Sequence, residues 1–279
     1  MTNNPVLISV APNGARKTKL DHPGLPMSFL ELAQEARRCV DSGARLYHLH
    51  VRDSEGKHSL SADLYREATA AIKAEVADSI IVQITTEACG VYDIATQMHT
   101  VRQVHPQAAS FALREFVPSQ DHEQSAASFF EWTYDNGILA QYILYSPAEA
   151  LSLRALVKRG VIPQARPSVL FVLGRYADGI SSDPRGLLEF LPAWDDSGPW
   201  SVCAFGASEI SAAAAAIALG GHVRVGFENN LQRIDGALLD TNSEQVGRVA
   251  RLAATMGRPT IGVGAAQALF SGKSCVSAA

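Results

Sequence analysis

The chain has 279 residues, 47% of them hydrophobic, and a formal charge of −4 at pH 7, which suits either two ordinary domains or one α/β barrel with a large core. A negative balance without any Lys/Arg cluster beyond short pairs such as Arg37-Arg38 argues against a nucleic-acid partner. No apolar run approaches the ~18–20 residues of a membrane span and the first residues lack a basic-then-apolar leader, so the expectation is a soluble cytoplasmic protein with no membrane partner.

In chain order, Val6–Ala11 is a β-branched run that ends at the turn Pro12-Asn13-Gly14, followed by a polar loop through Pro26 that carries Arg16, Lys17 and Lys19. Ser28 with Glu31 three residues on forms a capping box, and Leu32, Ala36, Cys39 and Val40 share one helical face until Gly43. A second strand begins near residue 44 and runs into Leu46–Arg52. The alternation then repeats: helix 62–77, strand 79–86, helix 94–104, strand 108–113, helix 123–136, strand 139–145 and helix 148–158. It continues with strand 168–174, a helix after Pro184, strand 200–206, the alanine-rich helix 208–219, strand 222–228 and a helix over 244–256. Eight apolar strands, each followed by a helix, require parallel pairing, because every crossover returns the chain to the same end. The reading is one (β/α)₈ TIM barrel over residues 1–279 with a C-terminal tail from about 260, with a doubly wound open sheet as the alternative. Cys39, Cys89, Cys203 and Cys275 have no C-x-x-C spacing and read as small buried thiols.

The densest chemistry lies in Leu46-Tyr47-His48-Leu49-His50-Val51-Arg52-Asp53. Alternation puts Leu46, His48, His50 and Arg52 on one face and Tyr47, Leu49 and Val51 on the other. Two imidazoles roughly 6–7 Å apart at Cα can share one divalent metal. They sit where the strand turns polar, the end at which barrel active sites form. In a barrel the other polar strand ends must be read with them: Thr85 and Thr86, Ser110, Tyr145, Gly206 with Ser208, and Arg224, Glu228, Asn229 and Asn230. By period two Arg224, Gly226 and Glu228 share a face, and a carboxylate with two histidines completes a catalytic zinc shell with an open position. Taken singly, each of these has a plainer reading: core histidines, a loop-end carboxylate, and hydroxyls that cap the following helix.

These residues resemble the β-keto acid cleavage enzymes. The resemblance rests on His48-Leu49-His50-x-Arg52-Asp53, Gln83-Ile84-Thr85-Thr86 and Gly221-His222-x-Arg224-x-Gly226-Phe227-Glu228-Asn229-Asn230. Gly14-Ala15, Asp21-x-Pro23-x-Leu25-Pro26 and Gly257-Arg258-Pro259 extend it through nearly the whole chain. It implies a TIM barrel, usually tetrameric, with zinc held by His48, His50 and Glu228. The implied reaction condenses a 3-keto acid with acetyl-CoA and cleaves the product to acetoacetate and a new acyl-CoA. Zinc would act as Lewis acid, Arg224 would supply positive charge beside the developing anion, and Thr85, Thr86 and Ser110 would position substrate.

Departures from that pattern matter equally. The family's acidic residue after the zinc glutamate falls on Asn229, which cannot accept a proton at working pH. Either Glu87 or Glu115 replaces it or the reaction differs. A glutamate of members that take an amino-bearing substrate falls on Arg16, and Arg114 replaces a small residue near the same mouth. A guanidinium prefers a carboxylate or phosphate, so the expectation is a substrate with a distal negative charge; structural salt bridges are the plain alternative for both arginines. Two other readings stay open: a CoA-independent metal-dependent lyase or hydrolase, and a non-catalytic metal- or metabolite-binding relative. His58, in the loop after the metal strand, reads equally as a pocket or a surface residue.

Overall fold

A computed structural model describes residues 4–174 and 182–271 of the chain, so Cys275 lies outside the described residues. Eight strands, β1 (Ile8–Val10), β2 (Leu46–Leu49), β3 (Ile81–Ile84), β4 (Ala108–Ala112), β5 (Leu139–Leu144), β6 (Ser168–Leu173), β7 (Trp200–Ala204) and β8 (His222–Val225), close into a barrel. All neighbours are parallel, and β1 joins β8 on one side and β2 on the other. The open-sheet alternative is thereby set aside.

The strands are buried on both faces, as the crossover helices require. These are α1 (Phe29–Asp41), α2 (Ala62–Val76), α3 (Ile94–Val104), α4 (Glu123–Asp135), α5 (Pro147–Lys158), α6 (Leu187–Trp194), α7 (Glu209–Ala218) and α8 (Asn242–Thr255). The Ser28/Glu31 capping box is formed, which satisfies donors that the first turn of α1 would leave unpaired. One further helix, α9 (Val263–Ser271), puts Ala266 and Phe270 against Leu7, Leu46, Ile81 and Ala108. It thus plugs the N-terminal end of the barrel, where the sequence had been read as a tail. Arg258 seals the join between α7 and β8 by donating to the carbonyls of Ile217, Gly220 and Gly221. Those acceptors include carbonyls that the end of α7 leaves without an intrahelical partner.

Strand ends fall short of the apolar runs. The first strand is Ile8–Val10, and β8 stops at Val225 because the chain turns at Gly226, whose φ is +137°. After β4, Leu113–Phe116 form a helical turn. Beyond β2, Val51–Arg52 pair antiparallel with His58–Ser59 in a small hairpin.

Candidate active site

His48 is the third residue of β2 and faces the barrel interior, while Tyr47 and Leu49 pack outward into the main core. The sequence alternation is therefore realised. His50 follows the strand, its carbonyl held by Asn13 Nδ2 at 3.1 Å. Glu228 comes from the turn after β8, anchored by its own N–H on the Ala11 carbonyl at 3.1 Å. His48 Nε2 and His50 Nε2 are 3.2 Å apart, and Glu228 Oε2 lies 3.8 Å from the first and 3.3 Å from the second. All three side chains are buried, and their donor atoms are close enough together to hold one metal ion.

The protonation states match that use. Burial, with Arg224 adding to it, pushes the His48 imidazole down to about 3. Burial alone would raise the Glu228 carboxyl, but Arg224, His50 and His48 outweigh it and hold it well below the usual carboxylate range. A neutral imidazole and an ionised carboxylate are the forms that bind metals. Gln83 Oε1 lies 2.8 Å from His48 Nδ1, and Gln83 Nε2 donates across the barrel to Gln141 Oε1 at 3.2 Å. Such a partner places the imidazole proton on Nδ1 and leaves the Nε2 lone pair for a ligand.

A narrow cavity of about 20 Å³ opens over the cluster, and its lining includes His48, Thr85, Thr86, Glu87, Ser110, Tyr145, Arg224 and Glu228. Arg224 donates to Glu228 Oε1 at 2.9 Å and also touches Cys203 Sγ. Ser110 Oγ is buried without a hydrogen-bond partner. The threonine hydroxyls are in use, Thr85 Oγ accepting from the Glu87 N–H and Thr86 Oγ donating to the Ser110 carbonyl. A wider chamber of about 310 Å³ adjoins, lined by Asn13–Lys17, Phe205 and Glu228.

Several expected residues do not line the inner cavity. Arg16 pairs with Glu87 at 2.8 Å. Arg114 pairs with Glu149 and stacks 4.3 Å over the Tyr145 ring. Glu115 accepts from Gln97 Nε2 and the Ala88 N–H and lines a separate outer pocket. The helical turn directly after β4 replaces period two with period 3.6, and neither 114 nor 115 lines the inner cavity. Asn229 is buried with neither amide atom hydrogen-bonded, and it is absent from the lining of both chambers. His58 is partly buried; its ring lies against His50, and Nε2 contacts the Glu87 carbonyl at 2.9 Å.

The beta-keto acid cleavage enzyme model matches residues 5–271. The chain belongs to the beta-keto acid cleavage enzyme family. It is 32% identical to a 3-keto-5-aminohexanoate cleavage enzyme of Acetoanaerobium sticklandii, over 91% of this chain and 93% of that one. It is 26% identical to a 3-oxoadipate:acetyl-CoA acetyltransferase of Cupriavidus necator, over 95% and 94%. Among solved structures the apo form of ObcA superposes with a TM-score of 0.69 at 16% identity, over 89% of this chain and 65% of that one. The chain thus spans about two thirds of ObcA's length, and the likeness is one of barrel fold. No helix among the described residues is long and apolar enough to cross a membrane.

In this beta-keto acid cleavage enzyme, residues that the sequence left without a role hold the site together. The buried Arg52 guanidinium binds the carbonyls of Gly14, Ala15 and Lys17, folding the loop after β1 over the cluster. Lys17 Nζ donates to the Glu228 carbonyl at 2.6 Å. Glu209 lies beneath the β8 turn, accepting the Gly226 N–H at 3.0 Å and the Gln245 amide. Burial, only partly offset by those donors, raises its carboxyl to about 8. The sequence signals for Arg52 were its place on the His48 face and in the His48-Leu49-His50-x-Arg52-Asp53 motif.

Proposed function

We propose that the protein is a zinc-dependent enzyme that joins a 3-keto acid to acetyl-CoA and cleaves the product to acetoacetate and a new acyl-CoA. The overall exchange is R–CO–CH₂–COO⁻ + CH₃–CO–SCoA → R–CO–SCoA + CH₃–CO–CH₂–COO⁻. The observation that carries this reading is the convergence of His48 Nε2, His50 Nε2 and Glu228 Oε2 at 3.2–3.8 Å beside a cavity. Tetrahedral zinc with bonds of 2.0–2.1 Å sets its ligand atoms about 3.3 Å apart, so the donor set fits. Bound there, zinc would polarise the keto and carboxylate oxygens of the substrate.

The chain's own groups supply the rest. Arg224, fixed on Glu228, offers positive charge where negative charge develops, and Ser110 Oγ offers a hydroxyl to an oxyanion or thioester oxygen. Removing a proton from C2 needs a base. Asn229 cannot act as one, and Glu115 opens onto another pocket; Glu87 is the carboxylate besides Glu228 that lines the cavity with His48 and Arg224. Arg16 pairs with Glu87 at 2.8 Å. Arg16 lines the wider chamber, and a guanidinium with five N–H donors can hold a distal substrate carboxylate together with Glu87, so an acidic keto acid stays within the proposal. One barrel domain assembled as a homotetramer in the cytoplasm completes the proposal.

The test is zinc content of purified protein and of His48→Ala, followed by acetyl-CoA-dependent acetoacetate formation in wild type, Asn229→Asp and Glu87→Gln. About one zinc per chain, lost in His48→Ala, with wild-type turnover abolished by Glu87→Gln, is expected. Activity found only in Asn229→Asp would refute the relocated base. Light scattering gives the assembly mass.

A further inference from the structure

Resting on the zinc reading, the surroundings of His50 give His58 a part in the site. Each neutral imidazole has one nitrogen that donates and one that accepts. In His48 the division is fixed, since Nδ1 bonds Gln83 Oε1 at 2.8 Å and Nε2 turns to the cluster. His50 also offers Nε2 to the cluster, 3.2 Å from His48 Nε2 and 3.3 Å from Glu228 Oε2. A metal ion on that nitrogen needs its lone pair, which leaves the ring proton on Nδ1. His50 Nδ1 is buried with no hydrogen-bond partner among the described residues. Metal-bound histidines almost always donate this proton to an acceptor, which fixes the ring.

The His58 ring lies against His50, with centroids 5.2 Å apart and planes tilted by 53°. His58 stands opposite Arg52 in the hairpin that follows β2. Its Nε2 is 2.9 Å from the Glu87 carbonyl, and a carbonyl only accepts, so Nε2 carries the proton and Nδ1 the lone pair. His58 Nδ1 is likewise buried and unpartnered among the described residues. The two orphaned nitrogens are thus a donor and an acceptor on neighbouring rings. Their centroid separation of 5.2 Å is about the span of a nitrogen-to-nitrogen hydrogen bond between two imidazoles. We infer that His58 is a positioning residue of the metal site, its Nδ1 accepting the His50 Nδ1 proton after a small rotation of the rings when a metal ion takes Nε2. With its proton on Nε2 instead, His50 would face His58 lone pair to lone pair. Asn13 Oδ1 is also unpartnered, but Asn13 serves the His50 backbone, donating to its carbonyl at 3.1 Å. Because His58 also holds the Glu87 backbone, one imidazole joins a metal ligand to the proposed base.

The test compares zinc affinity, by chelator competition without substrate, in wild type, His58→Ala, His58→Asn and His58→Gln, each checked for folding by its thermal melt. Asparagine keeps an acceptor near the place of Nδ1 but loses the donor to Glu87; glutamine keeps a donor near the place of Nε2 but loses the acceptor. Affinity should fall about 10–100-fold in His58→Ala and His58→Gln and stay within about threefold of wild type in His58→Asn. The reverse order, with glutamine restoring affinity and asparagine not, would make His58 a prop for the Glu87 backbone alone and overturn the inference. Ring-nitrogen shifts of isotope-labelled histidine in zinc-loaded wild type should place protons on His50 Nδ1 and His58 Nε2; a proton on His58 Nδ1 also overturns it. If wild type binds zinc and all four affinities are equal, this inference falls while the zinc reading stands. If wild type binds no zinc, both fall.

Discussion

Gly14→Ala probes the closest approach in the site. Gly14 has φ +62°, and a Cβ built there lies 2.6 Å from Glu228 Cγ and 3.0 Å from Glu228 Cβ. Two costs follow. An L-residue held in the left-handed region loses about 1–2 kcal/mol. In addition, carbon atoms sit comfortably at about 3.5–4.0 Å, so the Glu228 side chain must retreat by roughly 1 Å. It has little freedom to do so, being buried and tied to Arg224 at 2.9 Å. Metal-binding constellations tolerate only about 0.5 Å of displacement, so zinc affinity should fall at least about tenfold. Gly137→Ala is the control, because Gly137 has φ +69° with nothing within 4 Å of a built Cβ. Calorimetry of the metal-free proteins should show both variants melting about 2–8 °C below wild type from the backbone cost. In a chelator-competition titration only Gly14→Ala should lose zinc affinity. Equal zinc affinity in the two variants would refute the argument.

Gln83→Ala removes the partner of His48 Nδ1 and should weaken zinc binding about 10–100-fold with the far-UV spectrum unchanged; an unaltered zinc titration would dismiss Gln83 as an orienting group. Ser110→Ala should lower kcat/KM about tenfold without changing zinc content, and full activity would take the hydroxyl out of the site. Glu209 holds its proton to about pH 8, above its ordinary value of 4.5. Its contribution to stability is therefore full below about pH 4.5 and lost as pH rises toward 8. Glu209→Gln, which keeps an acceptor for the Gly226 N–H, should flatten the decline in denaturation midpoint across that window; an identical pH profile in both proteins would contradict the assignment.

Barrel topology was legible because every strand is an apolar run of the right length followed by a helical stretch, and parallel closure is what such units can build. The His48–His50–Glu228 cluster was legible for a related reason. His48 lies on the inward face of a strand, Arg224 and Glu228 flank a turn after another, and all barrel strands present the same end. Strand termini were drawn too long at both ends of the first strand and after β4. Apolar residues such as Val6 and Leu113 continue past the ladder to cover the barrel, so hydrophobicity alone does not mark where pairing stops.

The sequence by itself determined the fold class, the family and the convergence of His48, His50 and Glu228, since each follows from local periodicity and motif. Which carboxylate faces the cavity was decided only in three dimensions, because one helical turn at Leu113–Phe116 swings Arg114 and Glu115 outward while Glu87 stays inside. The Gln83–Gln141 link, Arg52 beneath the Gly14 loop and Glu209 beneath the β8 turn likewise join residues 58, 38 and 17 positions apart. Such contacts depend on how the barrel closes and in which register, and no local pattern of residues carries that information.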